Sequence, residues 1–230
     1  MPSLQPERFK QRFPLFDAAN PNTVEALLAV ATEHDYPADR AIVMEDSWGN
    51  AVYFIEAGWV KVRRHVDDGA VTLAVLGRGD FFGEMAILDE SPRSTDVVAM
   101  TAVRLLSVTA QQFIRILFKD AQLHHRLLQL MVQRLRQSNG RFQLRHHPPA
   151  VKLANTLMGL QEAYGQTTEQ GIKLVNIPVA DLADLADITP EETRKIIEKL
   201  QEKAWVEVDP TRGVLLLKQA KQMAHLAGKR

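Results

Sequence analysis

The sequence predicts an α+β chain made of a small β-roll, one long helix and a compact helical domain that closes on a β-hairpin. Three observations carry this. Between Tyr36 and Val108, short β-rich runs recur about every 8–12 residues with Gly and Asp between them. Residues 110–145 contain no proline and only Gly140 as a glycine, which is the composition of a helix. Beyond His146-His147-Pro148-Pro149, helical and strand-like segments alternate at short intervals.

In chain order, residues 1–35 read as short helices, with apolar residues at helical spacing in Val24–Ala31. The runs Ala41–Met44, Val52–Ile55, Trp59–Arg64 and Val71–Leu76 follow, punctuated by Ser47-Trp48-Gly49-Asn50, Ala57-Gly58, Asp67-Asp68-Gly69 and Gly77-Arg78-Gly79-Asp80. Asp68-Gly69 is a tight-hairpin signal. Two more strands, Asp96–Met100 and Val103–Val108, close the roll. Within the long helix Leu128, Met131, Leu135, Ser138 and Phe142 step by three and four, the spacing of a coiled-coil seam between two copies of the chain. Packing of the same stripe on the roll is the alternative, a task that Leu117, Leu123, Leu127 and Leu130 can fulfil from a second face.

Prolines at 148 and 149 end that helix, because proline lacks a donor and restricts the residue before it. The expected division is therefore 1–109 for the roll and its leading helices, 110–145 for the helix, 146–149 for a hinge and 150–230 for the last domain. In the last domain, helix Ala150–Tyr164, loop Gly165–Gly171, strand Ile172–Ile177, helices Val179–Ala186 and Pro190–Lys203, and a hairpin over 206–218 follow the order of a winged helix-turn-helix.

Composition removes several functions. The 230 residues include no cysteine, which excludes disulfides, thiolate catalysis and cysteine-held metals or clusters. No apolar run approaches the roughly 18 residues of a membrane span, and the polar start over 1–16 lacks the layout of a signal peptide. A cytoplasmic protein with no membrane partner is expected. No nucleophile–base constellation is evident, and the adjacent pairs His124-His125 and His146-His147 do not share a helix face; no enzyme, metal or cofactor is expected. Lys plus Arg equals Asp plus Glu at 28 each, so any basic surface must be local.

The richest chemistry lies between Phe81 and Thr95. Gly83 lets backbone approach a ligand closely, and a one-turn helix from Glu84 presents free amides to an anion. Arg93 supplies a planar, permanently charged fork suited to phosphate oxygens. Ser94 adds a hydroxyl, and the Ser94 and Thr95 amides extend the cradle. Glu84 has the wrong sign for phosphate but can accept from a sugar hydroxyl. A surface loop with one arginine and a helix cap is the plainer alternative from residue chemistry alone.

With Gly83-Glu84, Arg93-Ser94-Thr95 and the run Gly79-Asp80-Phe81-Phe82-Gly83-Glu84 inside a roll that precedes a long helix, the chain resembles the Crp/Fnr superfamily, and its cAMP receptor protein branch most closely. The resemblance runs from about residue 13 to residue 218. It implies a cyclic-nucleotide-binding roll, a dimerisation helix and a winged helix-turn-helix: a homodimeric, cAMP-responsive transcription regulator acting on double-stranded DNA, with RNA polymerase as a further candidate partner. In that family Glu84 would hold the ribose and Arg93 and Ser94 the cyclic phosphate, assisted by the Thr95 amide. Arg134 would approach the nucleotide, and Ser138 and Asn139 stand where the family sets polar residues against the purine. An inter-helix hydrogen bond that sets register is the other reading of Ser138.

The helix opened by Thr189-Pro190-Glu191-Glu192 aligns with the family's recognition helix. Pro190, Glu191 and Lys195 take the base-reading positions, so an arginine found in the cAMP receptor branch is missing. Arg194 replaces a small residue, and Thr189 and, in the wing, Arg212 complete the expected DNA contacts. Between Ile177 and Lys203 seven acids face four bases, a net −3 in a motif expected to meet a polyanion. A nucleotide-sensing protein-interaction module with a degenerate winged domain is therefore the rival function, and cyclic di-GMP the rival effector.

Overall fold

The computed structural model describes residues 5–67 and 69–229. They form two compact units that divide between residues 136 and 137.

The first unit opens with α1 (Pro6–Arg12), a 3-10 turn (Pro14–Phe16) and α2 (Pro21–Leu28). Each begins on proline, whose missing N–H is an orphan at that position in any case. The strands β1 (Thr32–Tyr36), β2 (Ala41–Val43), β3 (Ala51–Ala57), β4 (Val60–Val66), β5 (Gly69–Leu76) and β6 (Phe81–Phe82) follow. After the short α3 (Glu84–Leu88), β7 (Asp96–Ala99) and β8 (Val103–Thr109) complete two antiparallel sheets, ordered β1-β8-β3-β6 and β2-β7-β4-β5. Then come α4 (Ala110–Lys119) and α5 (Ala121–Gln143).

Side chains alternate along β3 as the pleat demands. Val52 and Phe54 face a core shared with the helices, while Tyr53 and Ile55 face the interior between the sheets. The helical core is aromatic: Phe54 lies 5.6 Å from Phe13 and 6.5 Å from Phe113 between ring centroids, in tilted or edge-on arrangements that ring quadrupoles favour. Burying each such ring contributes about 1.5–3 kcal/mol, so this cluster anchors the leading helices to the roll.

In the second unit α6 (Pro149–Tyr164), β9 (Gln166–Thr168), β10 (Gly171–Val175), α7 (Val179–Ala186), α8 (Pro190–Glu202), β11 (Val206–Asp209), β12 (Val214–Leu217) and α9 (Ala220–Leu226) follow in order. The sheet runs β11-β12-β10-β9. This is a winged helix-turn-helix.

Three expectations need correction. The predicted helix over 110–145 is broken at Asp120, which is extended (φ −125°, ψ 97°). Its carboxylate accepts from the amides of Gln122 and Leu123, both at 3.1 Å, and from the Asn20 amide at 2.8 Å. It thus caps α5 while tying down α2, a tertiary arrangement with no glycine or proline to announce it. The helix also gives way at its far end to a 3-10 turn over 144–146. Residues 1–35 are not purely helical, because β1 begins at Thr32; its half-exposed Thr-Glu-His-Asp-Tyr run has no apolar alternation. The loop expected over 165–171 contains β9. The hairpin signal at Asp68-Gly69 rests on Asp68, which lies outside the described residues.

Candidate functional site

Gly83 follows β6 and caps the start of α3 with φ +88°, a left-handed conformation that favours glycine. A Cβ there would lie 2.6 Å from Arg93 Nη1 and 3.0 Å from the Ala51 carbonyl, so space as well as conformation demands glycine. Arg93 is only 5% exposed. Its Nη1 donates to the Gly83 carbonyl at 2.5 Å and its Nη2 to the Ala51 carbonyl at 2.7 Å. Its backbone is held too: its amide donates to Ser47 O and its carbonyl accepts from Asp46 N, both at 2.8 Å. Beside it, Trp48 pairs with Pro92 as an isolated antiparallel bridge. A guanidinium carries five N–H groups; two are engaged by these carbonyls, leaving three for an anion. Burial lowers the arginine's pKa, opposed by the Tyr53 phenol and by Glu84, without removing its charge at neutral pH.

Glu84 is 2% exposed and accepts from Arg134 Nη1 at 2.5 Å. Arg134 also donates through Nη2 to Phe81 O at 2.8 Å and stacks with its guanidinium carbon 4.6 Å from the Phe81 ring centroid. Burial raises the Glu84 pKa; Arg134 foremost, then the residue's own amide and Arg93, work against it. A buried carboxylate held by Arg134 and a buried guanidinium held by two carbonyls thus stand at the two ends of one cassette. Just before β7, Ser94 is exposed and Thr95 half-buried.

A cavity of about 320 Å³ borders the cassette, lined by Met85, Ala86, Leu88, Asp89, Ser91, Pro92 and Ser94. Of the predicted ligand residues it includes only Ser94; Arg93 instead lies against Gly49, Ala51 and Gly83, and Glu84 against Arg134 of α5. Sequence reading missed three groups there. Ala51 supplies a carbonyl to Arg93, Gly49 passes under its guanidinium, and Tyr53, stacked on Phe82 at 5.1 Å, lines the interior. In the sequence Gly49 is legible only as turn punctuation, and a backbone carbonyl carries no sequence signal.

Along α5, Leu128 and Leu135 are exposed, the latter at 61%, as is Val132. Met131 departs from the predicted seam: it is half-buried against the aromatic core beside Leu130. Ser138, Asn139 and Phe142 belong to the second unit and are exposed.

In that unit α8 starts with a complete capping box. Thr189 Oγ1 accepts from the Glu192 amide at 3.2 Å and donates to Glu192 Oε2, which also accepts from the Thr189 amide at 2.9 Å. The Thr189 hydroxyl is therefore already employed. Lys195 Nζ donates to Glu191 Oε1 at 2.6 Å, one turn away, so the two predicted base readers pair with each other. Pro190 and Arg194 are exposed, and Arg212 lies in the wing near Asp209, at 3.6 Å. Asp187 takes the Lys152 ammonium at 2.9 Å, which offsets one of the seven acids. Among the described residues no group of His, Cys, Asp and Glu is arranged to hold a metal ion, and no helix is long and apolar enough to cross a membrane.

A roll whose glycine–glutamate turn faces a buried arginine defines a cyclic nucleotide-binding domain, and residues 33–120 match the model of that family. The whole chain is similar to the cyclic AMP receptor protein of Thermus thermophilus, with 29% identity over 217 residues, 93% of this chain and 96% of the relative. It is also similar to the CRP-like cAMP-activated global transcriptional regulator of Mycobacterium tuberculosis, at 25% identity over 85% of this chain and 88% of that one. The fold is shared with the c-di-GMP responsive global regulator CLP of Xanthomonas campestris (TM-score 0.68, 18% identity, covering 86% of this chain and 99% of that one). The chain thus carries a cyclic nucleotide-binding domain and is similar, over nearly its full length, to named CRP-type transcription regulators.

Proposed function

We propose that this chain is a homodimeric transcription regulator that binds double-stranded DNA through α8 and the β11–β12 wing in response to cAMP held in the roll. The observation that carries the reading is the pairing of Arg93, oriented by two carbonyls with three donors left over, with the buried carboxylate of Glu84. A cyclic phosphate and a ribose hydroxyl are complementary to that pair. In this reading Ser94 and the Thr95 amide complete the phosphate cradle, and Ser138 or Asn139 of one protomer meets the base. The exposed Leu128, Leu135 and Phe142 form the seam between protomers, and the named relatives support cAMP as effector. The division 1–109, 110–145, 146–149 and 150–230 then describes sensor, dimer helix, hinge and DNA-binding domain.

The test is a thermal-shift series with cAMP, cGMP and cyclic di-GMP on wild type and Arg93→Ala. At about 100 times its dissociation constant, a ligand stabilises the native state by about 2.7 kcal/mol. cAMP is expected to raise the wild-type melting temperature and to leave Arg93→Ala unmoved. Equal shifts in both proteins, or none with any ligand, would sink the reading; a shift with cyclic di-GMP alone replaces the effector.

One observation favours a second reading, a nucleotide-sensing protein-interaction module. Glu191 and Lys195 neutralise each other, in a segment where acids outnumber bases. Anisotropy titrations against genomic fragments, with and without cAMP, separate the two: a regulator finds a specific site with ligand present, a module finds none.

A further inference from the structure

We propose that Gly49, in the loop between β2 and β3, is a positioning residue of the phosphate site: its bare backbone is the floor on which the Arg93 guanidinium lies. The inference rests on the proposed function and adds to it a residue outside the cassette. A Cβ built on Gly49 would meet Arg93 Cζ at 2.7 Å, Nε at 2.8 Å and Nη2 at 3.0 Å, and its nearest neighbours are all that guanidinium. Real Cβ atoms essentially never come so close, so one of the two must give way.

What gives way is decided by the surroundings. Gly49 has no left-handed φ, so a larger residue there carries no backbone strain. Its loop is fixed to the cassette by the Asp46, Ser47 and Trp48 backbone contacts with Arg93 and Pro92. The mobile party is the far end of the Arg93 side chain. A methyl group at position 49 therefore leaves the fold standing and pushes the fork off the Ala51 and Gly83 carbonyls that aim it. Gly83 differs: with its positive φ and the Ala51 carbonyl 3.0 Å away, substitution there costs the backbone itself. Gly49 separates aiming from folding.

The experiment uses the full-length chain as wild type, Gly49→Ala, Arg93→Ala and the double variant. The probes are cAMP and the two diastereomeric adenosine 3′,5′-cyclic phosphorothioates, which differ only in which exocyclic oxygen is sulfur. A fork held at one angle distinguishes the diastereomers; a displaced one does not. Gly49→Ala is expected to melt like wild type and to bind cAMP about tenfold more weakly, the worth of one charge-assisted hydrogen bond. Its preference between diastereomers should shrink toward one, and adding Gly49→Ala to Arg93→Ala should change nothing further. Undiminished affinity and preference in Gly49→Ala overturn the inference, as does an equal loss for both diastereomers, which is what a merely structural role gives. A ligand-free measurement separates the two proposals. The Arg93 Nε–H resonance, assigned by its absence in Arg93→Ala, should move in Gly49→Ala whether or not any nucleotide binds. A moved resonance in a protein that binds no cyclic nucleotide sinks the proposed function alone, and an unmoved one sinks the role of Gly49.

Discussion

Three buried carboxylates show how environment sets charge. Burial raises the pKa of Glu84, and it would raise those of Asp96 and Asp120 as well. For Asp96 the Glu45 amide, Arg63 and His65 outweigh burial; for Asp120 the Asn20 amide, the Thr23 hydroxyl and the first amides of α5 do. The signs for stability are opposite. Asp96 and Asp120 have folded pKa values below their unfolded one of about 3.9, so their contribution is complete above that value and lost as pH falls through the folded one. Glu84 has a raised folded pKa, so its contribution is complete below the unfolded value and lost as pH rises through the folded one. Urea unfolding from pH 2 to pH 7 should show a loss of stability on acidification that is shallower in Asp120→Asn, and an unchanged slope in that variant would refute the assignment. Arg134→Met should let Glu84 take a proton closer to neutrality. Its affinity for cAMP, measured by titration calorimetry, should then fall with decreasing pH in a range where wild type is flat, because a protonated carboxyl is the poorer acceptor for a ribose hydroxyl. The chemistry of Gly83, Glu84 and Arg93 was legible in the sequence because it is carried by side-chain types close together in the chain. The groups that aim it were not: Ala51 acts through its carbonyl, 42 residues from Arg93.

At the scale of elements, the start of α8 was legible in Thr189-Pro190-Glu191-Glu192, a hydroxyl N-cap before a proline and two acids, and the structure forms a capping box there. Thr189→Ala should cost about 1 kcal/mol of stability by chemical denaturation, as loss of an N-cap hydroxyl does; no loss would mean that Glu192 alone holds the helix start. Breaking the Glu191–Lys195 pair with Glu191→Ala frees the lysine and removes an acid from the N-terminal end of α8, which the proposed regulator sets in the major groove. Non-specific DNA affinity by anisotropy should rise and its decline with salt steepen by about one phosphate contact, while discrimination of the specific site falls because a proposed base reader is lost. Unchanged affinity in that variant would favour the interaction-module reading. The break between α4 and α5 and the strand β1 escaped the sequence for related reasons. Asp120 caps by reaching across to α2, and β1 is recruited by pairing with β8 while carrying mostly polar side chains. Partners decide both.

For the whole molecule, the α5 stripe matters most. Leu128, Val132 and Leu135 are apolar and open on a helix whose other face, with Leu123 and Leu127, is buried in the first unit. A chain that dimerises along this stripe should sediment as a dimer, and Leu128→Glu with Leu135→Glu should sediment as a monomer that keeps the Glu84 and Arg93 cassette but binds cAMP more weakly, without the base contact from its partner. A wild-type monomer at micromolar concentration would remove the base contact proposed for Ser138 or Asn139. The period of three and four on which the proposed seam rests stands in the sequence, but the burial of its members does not. Met131 fits the period and nevertheless packs inward, because α5 offers the core more apolar residues than one stripe can hold.

The bridge between Trp48 and Pro92 makes the molecule its own optical probe. Trp48 is 74% exposed and stands in the chain between the residue whose carbonyl holds the Arg93 amide and the residue beneath its fork. Trp205 belongs to the other unit and Trp59 to a different part of the roll, packed on Gly77. An anion settling on the cassette would alter the polarity around a single indole, so emission from that ring, with Trp48→Phe as the dark control, would follow occupancy in real time without any label.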